Sequence, residues 1–136
     1  MGAWGPEPFE NDSALDWASD LEGATLDTVR DALSEVLSAK GYIEVDEASA
    51  AVAAAELVAA ALGQGGTTLP EDVAGWLQHE KAHVTTSDVT LALEALDRVL
   101  AGSELQQLWD EGGLDNPWRS RILELRRRLE QASSGA

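Results

Sequence analysis

The chain contains no cysteine among its 136 residues, which excludes disulfides and thiolate zinc sites. Cations are scarce. Nine Lys and Arg stand against 25 Asp and Glu, for a formal charge of −16. Such a surface repels phosphate, so nucleic-acid binding is not expected. It favours solubility and the steering of basic partners. The one long apolar stretch, residues 48–62, has fifteen residues with Glu56 inside it. That is too short and too charged for a comfortable bilayer span, and no membrane association is expected. No basic, apolar, small-residue leader opens the chain, so the expected location is the cytoplasm. No segment alternates apolar and polar residues long enough for a confident strand.

What is present is helical spacing throughout. The first helix is expected over about 12–22, with Asn11, Asp12 or Ser13 as cap and Ala14, Trp17, Ala18 and Leu21 as its apolar face. The second is expected over about 26–40. Thr25 caps it, Leu26, Val29, Leu33, Val36 and Leu37 form its stripe, and Gly41 closes it. Residues 42–45 read as a short extended connector. A third helix over about 47–62, with Asp46 as cap, is apolar nearly all round and should be the buried centre. Gly63 to Thr67 is a loop. Thr68 and Glu71 have capping-box spacing before a fourth helix of about 69–83. Thr85, Thr86 or Ser87 caps a fifth of about 88–101, where Glu94 and Arg98 lie one turn apart. A short helix of about 104–111 follows. The last begins at Asn116-Pro117 and is lined by Ile122, Leu125 and Leu129.

The expected architecture is all-α. It is a single domain over 1–136, an irregular or orthogonal bundle of about six to seven helices. Residues 1–11 are expected to dock on the body as an extended segment, because Trp4 and Phe9 are unusual in a free tail. Residues 133–136 are expected to fray.

Charge is uneven along the chain. Residues 1–63 carry a net −11 and residues 64–136 a net −5, yet residues 117–136 carry +3. Two readings follow for Arg126, Arg127 and Arg128. They clamp the last helix onto the acidic bundle, or they form a separate basic docking face. Glu56, the lone charge of the central helix, is expected to pair with an Arg of the last helix or to sit at an edge. As a buried carboxylate it is also a candidate site residue.

Both histidines fall in His79-Glu80-Lys81-Ala82-His83. This matches H-E-x-x-H, in which two His one turn apart bind zinc and the Glu is general base. Lys81 would place a cation beside the metal, and Val84-Thr85-Thr86 ends the helix just after His83. The longer form with a Gly and a third His downstream is absent, and Glu104 or another acid is the conceivable third ligand. The reading without metal treats them as surface or boundary residues, with Glu80 partly buried at a fraying helix end and compensated by Lys81 or an Arg. Asp12, Asp16 and Asp20 form an acidic stripe without the alternation of a calcium loop, and a solvated face is expected. No cysteine, nucleophile elbow or phosphate loop is present. Trp109 and Trp118 are candidates for core or, if exposed, for an interface.

The stretch Trp4-Gly5, Phe9, Asn11-Asp12, Ala14 and Asp16-Trp17 resembles the opening of a bacterial family, domain of unknown function 4259 (W-G-x-x-x-F-x-N-D-x-A-x-D-W). The similarity continues at Ala54-Ala55-Glu56, Ala92 to Leu96, Ser103-Glu104-Leu105, Leu108-Trp109 and Trp118-Arg119. His79 and His83 are not part of the pattern. The resemblance implies a small standalone bacterial protein and no particular activity.

The expectation from the residues is a non-enzymatic acidic interaction module without a cofactor, an inhibitor or immunity-type protein being one form, that binds a basic protein partner. The alternative is a zinc-dependent hydrolase using His79, Glu80 and His83. The oligomeric state is not legible.

Overall fold

The computed structural model describes residues 12–21, 23–39, 41, 43–65, 69–103 and 117–134. Among them are six α-helices: α1 (Asp12–Ser19), α2 (Asp27–Ser38), α3 (Val45–Ala61), α4 (Glu71–Glu80), α5 (Thr86–Ala101) and α6 (Pro117–Ser134). A 3₁₀ turn, Lys81–His83, continues α4. No strand occurs among the described residues. An isolated parallel bridge joins Ile43 to Ser103. The architecture is an all-α bundle. No described helix is long and apolar enough to cross a membrane.

α3 is the axis of the bundle. Every position from Ala51 to Ala59 is buried, so the helix is surrounded rather than one-sided. α1, α2, α4, α5 and α6 all pack on it. Alanine on most of its surface lets neighbouring backbones approach closely. Leu33, Leu57, Leu96, Ile122, Leu125 and Leu129 fill the remaining volume and are at most 1% exposed. Truncating any one to Ala typically costs about 2–5 kcal/mol.

α6 follows its sequence pattern. Ile122, Leu125 and Leu129 recur at 3.6-residue spacing and are fully buried, with Trp118 beside them at 3% exposure. Helix continues through Ser134, into the stretch expected to fray.

Helix ends depart from the sequence pattern. α2 stops at Ser38, and Ala39 is already extended. Leaving the helix early carries Ile43 to its bridge with Ser103, where both are fully buried. The C-terminal turn of α2 therefore lies at the edge, and Leu37 is 37% exposed rather than part of the core. Val45 belongs to α3, whose N-cap is Glu44 and not Asp46. Asp46 instead accepts a hydrogen bond from Ser13 Oγ at 2.6 Å, joining α1 to α3. Thr25 lies one position before the N-cap of α2, where its hydroxyl accepts from Asp27 N–H at 3.3 Å. α4 has Pro70 as N-cap, and Thr68 lies outside the described residues. α5 begins at Thr86, two residues early, because Thr85 and Asp88 close a capping box.

Candidate functional site

Helical register decides what the His79-Glu80-x-x-His83 segment can do. α4 ends at Glu80, and residues 81–83 are wound as a 3₁₀ turn. On a continuous α-helix His83 would lie about 40° around the axis from His79. Tightening to three residues per turn moves it to about 100°. Both imidazoles are exposed. Glu80 is half-buried and committed elsewhere. Its Oε1 accepts the backbone N–H of Leu26 at 2.9 Å and so caps α2. The compensation expected from Lys81 or an Arg is thus supplied by a helix N-terminus. Among the described residues no group of three His, Asp or Glu side chains is placed to hold a metal ion. Asp16 and Asp20 of the acidic stripe are exposed.

Glu56 is fully buried, and Arg128 of α6 pairs with it. Arg128 Nη1 donates to Oε1 at 3.3 Å and to Oε2 at 3.4 Å, and Nη2 donates to Oε1 at 3.3 Å. Nη1 also donates to the Gln64 carbonyl at 2.8 Å, tying down the loop after α3. Gly65 fits there because a Cβ would stand 3.1 Å from the Ala60 Cβ. Arg126 clamps α6 to α5 with a two-pronged bond to Asp97, at 2.7 and 3.1 Å, and reaches Glu130 at 3.0 Å. The hydrogen bonds from Arg126 hold the Asp97 carboxyl below its ordinary range. Arg127 alone of the three is exposed. The run divides into two clamps and one outward cation. Trp118 is buried, so it is core and offers no interface. Trp17 is partly buried against the core. Trp4, Gly5, Phe9, Asn11 and Trp109 lie outside the described residues, as does the side chain of Asp12.

Two features have no local signature. The first is a polar hub on Asp88, which is buried on α5. Arg30 of α2 grips it with Nε at 2.8 Å and Nη2 at 3.1 Å, and also reaches the His83 carbonyl at 3.2 Å. Thr85 N–H donates to the same carboxylate at 2.9 Å. Burial alone would push the Asp88 carboxyl up, but the hydrogen bonds from Arg30 and Thr85 outweigh it and hold the group below its ordinary value. Thr85 was one of three candidate caps in the sequence, but nothing there marks Asp88 as the partner of Arg30, 58 positions away. Arg98, expected beside Glu94, donates instead to the Gly102 carbonyl at 3.2 Å and to the Gly41 carbonyl.

The second is a cleft of about 730 Å³ between the end of α1, the turn after it, and α4. Ala18 and Leu21, both buried, border it on one side. Glu71, Asp72, Gly75, Trp76 and His79 supply the α4 side. The indole N–H of Trp76 donates to the Ala24 carbonyl at 2.9 Å, which fixes the ring. No Lys or Arg among the described residues lines this cleft. Val73, Trp76 and Leu77 lie at helical spacing on one face of α4, but spacing carries no sign of the opposing wall.

The model of one family, described as Domain of unknown function (DUF4259), matches residues 2–121. No curated protein and no solved structure matches the chain.

Proposed function

The chain belongs to the DUF4259 family, and we propose that it is a non-enzymatic interaction module that captures a basic protein partner. The mode is the one an inhibitor or immunity protein uses, and the setting is the cytoplasm. One observation carries the reading: four arginines are tied to partners within the fold, and among the described residues exposed carboxylates outnumber the exposed cations Lys81, Arg121 and Arg127. Arg30, Arg98, Arg126 and Arg128 hold Asp88, backbone carbonyls, Asp97 and Glu56. Asp16, Asp20, Asp31, Glu35, Glu71 and Asp72 stand exposed. The net charge of −16 is therefore expressed at the surface. A field of that sign accelerates encounter with a basic protein and disfavours nucleic acid.

The test is affinity capture from the source cell on the immobilised chain, with bound protein released by salt. Each released protein is then titrated against the parent and against a variant carrying Asp31→Asn, Glu35→Gln, Glu71→Gln and Asp72→Asn. The expected result is a basic partner whose affinity falls with salt and falls again in the variant. A partner bound equally well by both proteins at all salt concentrations would overturn the reading.

A further inference from the structure

We propose that the cleft between the α1–α2 turn and α4 receives a lysine or arginine side chain of the partner. The proposal rests on the reading above and assigns it a site. The first support is the wall at Trp76. Its N–H is already committed to Ala24 at 2.9 Å, so what the ring has left to offer the cleft it lines is its aromatic carbon surface. A cation is attracted to such a surface within about 6 Å of the ring centre.

The second support is charge. Asp72 precedes Trp76 by four residues and Glu71 precedes Gly75 by four. Each pair therefore shares a stripe of α4. Both carboxylates are exposed, and no Lys or Arg among the described lining residues neutralises them. The ring of Trp76 suits the methylene stem of a long cationic side chain, whose charged head would stay with the exposed carboxylates.

The third support is Gly75, in the interior of α4. Glycine there weakens a helix relative to alanine, and packing does not require it. A Cβ at Gly75 would meet no atom within 4 Å. The acids of the first turn are what any helix N-terminus favours, but that preference accounts for neither Gly75 nor Trp76. Room kept open beside an aromatic ring and two carboxylates fits an entering cationic chain.

The experiment follows the tryptophan indole and backbone amide signals of the full chain by NMR, with Trp76 assigned through Trp76→Phe. The probe is acetyl-glycyl-arginyl-glycinamide. Its control replaces arginine by citrulline, which keeps the shape and removes the charge. The expected result is a saturable shift of the Trp76 indole and Gly75 amide with the arginine peptide only. Glu71→Gln with Asp72→Asn should weaken it by about tenfold. Gly75→Leu should abolish it while the melting temperature is kept, which separates a filled cleft from a misfolded chain.

An equal response to citrulline overturns the proposal. So does a response confined to other acids such as Asp31 and Glu35, although the basic-partner reading then stands. No saturable shift anywhere overturns both. Trp76 shifts that follow protein concentration alone would make a second copy the occupant. A response that appears only after Trp4→Ala would make the occupant the chain's own N-terminal segment. Either outcome refutes the assignment.

Discussion

Arg128→Met isolates the buried ion pair that holds α6 to α3. Glu56 is fully buried in the C-terminal third of α3, while the Arg128 side chain keeps 14% exposure. The contacts of 3.3–3.4 Å are long for charge-assisted bonds, which favour about 2.7–2.9 Å. The Coulombic gain is therefore moderate, and desolvation offsets much of it. Removing the guanidinium takes its donors away from a fully buried carboxylate and from the Gln64 carbonyl. The expected cost is about 3–5 kcal/mol, or roughly 10–20 °C in melting temperature for a domain of this size. Glu56→Leu should cost less, because the long Arg128 side chain can turn its charged head outward. The double variant should recover most of the loss. Urea unfolding followed by circular dichroism measures all four proteins. A cost below about 1 kcal/mol for Arg128→Met, or a double variant no better than that single one, would refute the reasoning.

Asp88→Asn should destabilise the protein at neutral pH, with a gap that closes under acid. The folded carboxyl lies below its ordinary value, so the unfolded chain binds the proton first. The stabilisation is complete above the unfolded value of about 3.9 and fades as pH falls through the folded one. Unfolding curves of parent and variant that stay parallel through acid would contradict this. Gly75→Ala should raise stability by about 1 kcal/mol, since the added methyl meets nothing within 4 Å; a lowered melting temperature would show hidden crowding. Arg126→Glu should destabilise more at low salt than at high salt, because it would face Asp97 and Glu130. Arg127→Glu, exposed, should change stability by less than about 0.5 kcal/mol, and thermal melts in which both positions respond alike would remove the distinction between clamp and surface cation.

The all-α bundle was legible because its signals are periodic and local. α3 reads as apolar all round, and the stripe of Ile122, Leu125 and Leu129 leaves one burial pattern open to α6. The pairing of Glu56 with an Arg of the last helix was also within reach. A lone acid inside an apolar helix needs a cation, and the arginines of the chain are concentrated in α6. Helix ends were less legible. Thr25, Asp46 and Thr85 each look like a cap, but tertiary partners decide which one acts. Asp46 went to Ser13, and Leu26 N–H found Glu80, 54 positions away. The H-E-x-x-H pattern also turns on a helix end. It assumes one α-helix through His83, whereas α4 tightens after Glu80. The cleft was illegible because its two walls come from segments about fifty residues apart in sequence, and spacing carries no information about their approach.

The most direct measurement of the central claim is the affinity of the captured partner for the full chain as a function of salt. Parent and the Glu71→Gln, Asp72→Asn variant should be compared by calorimetry. An outward-facing acidic surface with a cation-accepting cleft predicts binding that weakens steeply as salt rises, with the variant weaker at low salt and the two curves converging at high salt. Binding that ignores salt, with parent and variant superimposed, would contradict it.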